Sequence, residues 1–189
     1  MENFETDITH SLKVLKAGGI ILYPTDTIWG IGCDATNADA IEKIYKLKKR
    51  EEKKSMIILL AHEEDIKKYV FNPAKKMLDF LSVQNKPTTA IFNKAINLPE
   101  NIINEDGSIA IRVAGDEFCK ILIQQLSRPM VSTSANISGA DSPKNFSEIT
   151  MGIKIGVDYI FPHRQHELKK YQPSSIVRIG KEGEIEKLR

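Results

Sequence analysis

Met56-Ile57-Ile58-Leu59-Leu60-Ala61 is the longest wholly apolar run in the chain. It is too short and too uniformly apolar for a surface helix, so it reads as a central strand buried on both faces. Working outward from it, helix and strand patterns alternate. Upstream, Ile8, Leu12 and Leu15 recur at helical spacing over residues 7–15, Gly18-Gly19 supplies a flexible stop, and residues 20–23 form a short strand. A second helix starts at Asn37 or Asp39, either of which can cap it, and it sets Ile41, Ile44, Tyr45 and Lys48 on one face. Downstream, residues 65–69 and 73–81 are helical, with Pro73 in a first turn that does not need its missing N–H. Residues 88–92 and 108–113 are strands, and alternation in the second puts Arg112 on the face opposite Ile109 and Ile111. Residues 118–126 restore helical spacing, Pro129 breaks it, and residues 130–133 are a strand running into a polar loop. Strands over 159–161, 175–179 and 185–188 finish the chain, with residues 180–183 as a hairpin turn. The class is α/β with a mixed sheet. In such sheets ligands gather where loops leave the strand ends, so the polar loops after Tyr23 and Val131 are the places to search for chemistry.

Composition narrows the alternatives. The chain has 189 residues, 41% of them hydrophobic and 28% charged, which suits one compact domain over residues 1–189. The apolar run of residues 56–61 is far short of the roughly 20 residues of a membrane-spanning helix, so no membrane span is expected. Residues 1–7 carry Glu2, Glu5 and Asp7 where a secretory signal or presequence would be basic, so a cytoplasmic location is expected. Cys33 and Cys119 lie far apart with no CxxC, which points to buried small side chains rather than a disulfide or zinc site. His163 and His166 have HxxH spacing but no third clustered ligand, so no protein metal site is expected. Twenty-seven basic residues nearly cancel 25 acidic ones, leaving a net charge of +2, so coating of nucleic acid by bulk charge is not expected.

Three clusters remain that can carry chemistry. Pro24-Thr25-Asp26-Thr27, followed by Ile28-Trp29-Gly30-Ile31-Gly32, sets two hydroxyls and a carboxylate directly after a buried strand, where they could hold a small polar ligand. A turn in which Asp26 caps its own backbone would give the same pattern. Residues 46–54 read KLKKREEKK, with six basic residues against two acidic ones. There Lys48, Arg50 and Lys54 could bind phosphates, arginine in a two-pronged fashion and lysine as a point charge. A solvated helix end laced with salt bridges has the same composition. The third cluster, Ser132-Thr133-Ser134-Ala135-Asn136-Ile137-Ser138-Gly139, places five hydroxyl or amide side chains within seven residues, able to donate to anionic oxygens. An ordinary polar loop is again the alternative. No histidine stands at a spacing that would activate Ser134, so it is expected to bind rather than attack. Neither GxxxxGK[ST] nor GxGxxG occurs, so a nucleotide is not expected to be held as in P-loop enzymes, and the dinucleotide fingerprint is absent.

In order and spacing, residues 24–32, Lys48 with Arg50, and the complete STSANxSG stretch of residues 132–139 resemble the YrdC-like family, the threonylcarbamoyl-AMP synthases. The resemblance runs from about Gly18 to Gly139 and continues more weakly to the C-terminus, and the length suits the short, single-domain form. It implies an open, twisted mixed β-sheet with flanking helices around a concave, positively charged cavity. The implied reaction converts L-threonine, bicarbonate and ATP, with Mg2+, into threonylcarbamoyl-AMP and pyrophosphate. The product feeds t6A37 modification of tRNA through a downstream threonylcarbamoyltransferase machinery, and the resemblance leaves direct tRNA contact open.

By motif match, Lys48 and Arg50 are the implied catalytic residues, and Thr27, Arg112, Ser132 and Ser174 contact threonine. Arg50, Lys54, Ser108, Ser134, Asn136, Ser142 and Arg189 contact ATP, and the protein supplies no metal ligand. Trp29 stands where the family has tyrosine, which keeps an aromatic wall without the hydroxyl, and Glu51 replaces a proline after Arg50. A reading of a different class is a double-stranded RNA or tRNA-binding module without catalysis, in which residues 46–54 contact phosphates. The carbamoyl-transferring hydrogenase maturation proteins also contain a YrdC-like domain, but they carry zinc-finger and acylphosphatase-like regions that this sequence lacks.

Overall fold

The computed structural model describes residues 5–50, 56–167 and 171–189. In chain order these form α1 (Glu5–Lys16), β1 (Ile21–Tyr23), β2 (Gly30–Gly32), α2 (Ala38–Lys48), β3 (Ile57–Leu60), α3 (Ile66–Tyr69), α4 (Lys75–Ser82) and β4 (Thr88–Phe92). They continue with β5 (Ile109–Val113), α5 (Glu117–Leu126), β6 (Met130–Ser134), α6 (Met151–Gly156), β7 (Tyr159–Ile160), β8 (Ser175–Ile179) and β9 (Ile185–Lys187). The strands join one mixed sheet in the order β7-β1-β2-β6-β3-β5-β4-β8-β9. Neighbours β1 and β7, β3 and β5, and β4 and β8 run parallel, and the remaining pairs are antiparallel. No helix among the described residues is long and apolar enough to cross a membrane.

The apolar run lies where its composition requires. β3 is flanked by β5 and β6 in the middle of the sheet, and Ile58, Leu59 and Leu60 are all buried. Because successive strand side chains point to opposite faces, Ile58 and Leu60 join one core and Leu59 the other. The first core packs Leu22, Ile31, Ile109, Ile111 and Val131 against Ile41 and Ile44 of α2, Met77 of α4 and Ile153 of α6. The second packs Ile21, Tyr23, Leu59 and Met130 against Ile8 and Leu15 of α1 and Phe118 and Leu122 of α5. Helices thus cover both faces of the sheet.

Local chemistry fixes the helix ends. Asn37 accepts a hydrogen bond from the Ala40 N–H at 3.1 Å and caps α2, while Asp116 accepts one from the Cys119 N–H at 2.8 Å and caps α5. Two sequence expectations change. Pro73 lies outside α4, whose N-cap is Ala74, so it limits the chain before the helix rather than within its first turn. Residues 30–32, expected as loop, form β2, antiparallel to β1. A Cβ on Gly32 would stand 2.6 Å from the Val131 carbonyl oxygen and 2.7 Å from Cε1 of Tyr23, so the close approach of buried Tyr23 demands glycine.

This close packing predicts that Gly32→Ala destabilises the protein by about 1 to 3 kcal/mol, because the obstructing atoms are backbone and a buried ring. Gly152, inside α6 with nothing within 4 Å of an added Cβ, is the control. There alanine should be neutral or stabilising by about 0.5 to 1 kcal/mol. Urea midpoints for the two variants check both signs.

Candidate functional site

The sheet face that carries α1 and α5 continues beyond them. Gly30 pairs with Ser134, Ile57 with both Ser132 and Ala110, Ala110 with Ile91, and Thr89 with Ile176. Paired residues share a face, as do residues two apart on a strand, so these side chains and Arg112 form one row across six strands. The small residues Gly30, Ala110 and Ser132 keep that row low. Above it opens a cavity of about 420 Å3, walled by Thr27, Arg50, Ser142, Pro173, Ser174 and Arg189.

Of the residues singled out in the sequence, Thr27, Arg50, Arg112, Ser132, Ser134, Ser142, Ser174 and Arg189 all line this cavity. Lys48 and Asn136 lie behind its wall rather than on it. Ser108 lines a neighbouring cavity of about 910 Å3. Asn104 and Ile91 border both spaces, and Asn104 donates to the Ser108 hydroxyl at 2.9 Å. Asn104 escaped the sequence reading because its only local signal is the Asp106-Gly107 turn that follows it. Lys54 and Glu51 lie outside the described residues. Trp29 does not wall the cavity; it is buried on the opposite face against the Phe146 ring, at a centroid distance of 4.8 Å.

Arg112 is 4% exposed and forms an ion pair with Asp26 through Nη1, while its Nε is buried with no hydrogen-bond partner. Asp26 therefore neither caps its own backbone nor lines this cavity. The turn is made by Thr25, whose hydroxyl accepts the Thr27 N–H at 3.0 Å and donates to the Ile28 carbonyl at 2.9 Å. That donation uses the single Thr25 hydroxyl proton, so in the 2.8 Å contact between the two hydroxyls Thr27 is the donor. Its acceptor lone pairs remain for a ligand. On the far side, Arg189 Nε donates to the Ser174 carbonyl at 3.1 Å, and the Ser174 hydroxyl bonds that of Thr89 at 2.8 Å. Burial lowers the pKa of Arg50 and of Arg189, and at Arg189 the nearby Arg112 charge adds to the effect.

Lys48 completes the buried face of α2 and is only 1% exposed. Its ammonium donates to the carbonyl of Ser134 and, at 2.6 Å, to that of Asn136. The Lys48 carbonyl in turn accepts the Ser138 N–H at 2.8 Å. The Asn136 side chain closes the loop by donating to the Ile137 and Ala140 carbonyls at 3.1 and 2.5 Å. The helix end and the Ser134-containing loop are thus one unit. Burial first, and the Arg50 charge second, push the Lys48 pKa down to about 7. Nearby Lys46 pairs with Glu42 at 3.3 Å and Lys49 is exposed at the C-cap of α2, so the described part of the basic run is divided between two surface lysines, a buried loop clamp and a cavity wall. Among the described residues, no cluster of three or more His, Cys, Asp or Glu could hold a metal ion.

The Sua5/YciO/YrdC family model, described as Telomere recombination, matches residues 13–189. A protein of Hydrogenovibrio crunogenus named threonylcarbamoyl-AMP synthase is 36% identical over 138 residues, covering 71% of this chain and 74% of its own length. Another of that name, from Halorhodospira halophila, is 27% identical over 177 residues, covering 93% and 91%. The fold is similar to that of P. abyssi Sua5 in complex with L-threonine, with a TM-score of 0.88 at 22% identity; all of this chain aligns with 55% of that one. The chain therefore spans a little over half the length of that protein.

The buried lysine gives a pH prediction. Unfolded, Lys48 should ionise near 10.4, against about 7 in the fold. Between these values the unfolded chain binds more protons, so Lys48 makes stability rise with pH above 7, and its full penalty remains below 7. Urea denaturation of the parent and Lys48→Met from pH 7 to 9 should show the parent gaining relative to the variant as pH rises. Parallel curves would contradict the assignment.

Proposed function

Because the chain belongs to the Sua5/YciO/YrdC family, we propose that it is a threonylcarbamoyl-AMP synthase, a nucleotidyltransferase that makes threonylcarbamoyl-AMP and pyrophosphate from L-threonine, bicarbonate and ATP. The observation that supports this reading is the gathering of Thr27, Arg50, Arg112, Ser132, Ser134, Ser142, Ser174 and Arg189, distant in sequence, around one cavity.

Each substrate group finds suitable chemistry there. The carboxylate of threonine meets Arg112, whose buried Nε lacks a partner, and its hydroxyl meets the hydroxyls of Thr27, Ser132 and Ser174. ATP lies along Arg50, Ser134, Ser142 and Arg189, with Ser108 contributing from the neighbouring cavity and Lys54 from outside the described residues. The amine of threonine and bicarbonate condense to a carbamate with loss of water. A carbamate oxygen then attacks the α-phosphorus, forming the new P–O bond as the bond to pyrophosphate breaks. The arginines offset charge developing on the phosphoryl oxygens, so catalysis is chiefly positioning and electrostatics, without a covalent enzyme intermediate. Lys48 and Asn136 serve by holding the Ser134 loop. Mg2+ bound to the ATP phosphates would supply charge neutralisation there, with no ligand cluster among the described residues needed to hold it.

In this reading the cavity is positive, the chain acts as one domain in the cytoplasm, and its product passes to a threonylcarbamoyltransferase machinery for t6A37 of tRNA. A binding-only RNA module is not favoured: the relatives that the chain matches are named threonylcarbamoyl-AMP synthase, and Lys48, in the middle of the described part of the basic run, is buried.

The expected outcome is that ATP cleavage to AMP and pyrophosphate requires both L-threonine and bicarbonate, measured as pyrophosphate release with each omitted in turn. Arg112→Ala should lower kcat/KM for threonine by a factor that corresponds to about 2 to 5 kcal/mol of lost stabilisation, since it removes the cation that would pair with the substrate carboxylate. Equal pyrophosphate release without threonine would overturn the proposal.

A further inference from the structure

We infer that Asp26 is a positioning residue that fixes the Arg112 guanidinium for a substrate carboxylate and so sets the preference of the cavity for a free amino acid. The inference rests on the threonine-site reading above, and its basis is geometric. The Asp26 carboxylate takes Nη1 of Arg112. Nε projects from the other side of the planar guanidinium and is buried without a partner. One side of a buried cation is thus neutralised from within, leaving the other for a ligand.

Asp26 is held more firmly than a turn residue needs. Its second carboxylate oxygen accepts the Gly115 N–H at 3.1 Å, just beyond the end of β5. Its own N–H donates at 3.1 Å to Asp116, the residue that caps α5. The preceding carbonyl, of Thr25, accepts from Arg164 Nη1 at 3.0 Å. Gly115 is small for a reason connected to this contact: a Cβ there would stand 2.5 Å from Asp26 Oδ2. Strand end, helix cap and the turn after β7 therefore converge on the Thr25-Asp26 segment, fixing its backbone, while Gly115 and Arg112 hold the carboxylate itself.

A bound amino acid would place Arg112 between two carboxylates, one built in and one brought by the substrate. Without the built-in partner the buried guanidinium has no fixed orientation, and the side carrying Nε is no longer held toward the ligand. A ligand lacking the carboxylate would not register that loss.

The test compares L-threonine with L-threoninamide by titration calorimetry in the parent and in Asp26→Asn, which keeps the shape and removes the charge. The expected result is about tenfold or greater weakening for L-threonine with threoninamide affinity changed by less than about threefold, and KM for ATP nearly unchanged. Gly115→Ala crowds Asp26 while leaving every charge in place; it should erode the same preference to a smaller degree, and it decides the matter if Asp26→Asn does not fold. Retention of the parent's preference, or equal weakening toward both ligands, would overturn the inference while leaving the threonine site intact. A parent that itself fails to bind L-threonine would instead overturn the functional reading on which it rests.

Discussion

A guanidinium that is 4% exposed on a central strand is the constraint around which the cavity is organised. Burying a charge is costly unless it is paired and its hydrogen bonds are met, and Arg112 meets that demand only in part. Asp26 neutralises Nη1, and Nε waits. Satisfying Nη1 requires the loop after β1 to cross to β5, and this crossing brings Thr27 to the cavity beside Ser132. The apolar half of the same sheet face, covered by α1 and α5, supplies the packing that keeps the arrangement rigid.

A second buried cation organises the opposite wall. Lys48 spends its hydrogen bonds on the carbonyls of Ser134 and Asn136, where the strand β6 gives way to loop. Carbonyls at such a loop end need donors, and beyond the Asn136 N–H that reaches the Ser134 carbonyl at 2.9 Å they have Lys48. The lysine satisfies them and ties the loop to the end of α2, from which Arg50 reaches the cavity. The two cations therefore work differently: Arg112 presents an unmet donor, whereas Lys48 fixes the position of groups that face the ligand.

Much of this was legible in residue patterns. Period-two alternation placed Arg112 opposite Ile109 and Ile111, and period-three-to-four spacing placed Lys48 on the same face as Ile41, Ile44 and Tyr45, where it is found. The charge count of the basic run pointed Lys48 toward phosphate, but a lysine on an apolar helix face is buried, and burial turned it to backbone carbonyls. Residues 30–32 carry no strand signal because glycine has no strand preference of its own; pairing with β1 and β6 makes them a strand, and glycine admits the close approach of Tyr23. Asp26 stood out as part of a hydroxyl-rich turn, yet its partner lies 86 residues away, a separation no local pattern encodes. Arg164, in a turn with positive φ, gave no signal that it holds the Thr25 carbonyl.

The most direct measurement is a crystal structure with L-threonine and a non-hydrolysable ATP analogue. The account predicts the threonine carboxylate within hydrogen-bond distance of Arg112 Nε, Asp26 still on Nη1, and the phosphates against Arg50 and Ser134. A threonine carboxylate bound away from Arg112, or an Arg112 that leaves Asp26 to receive it, would contradict it.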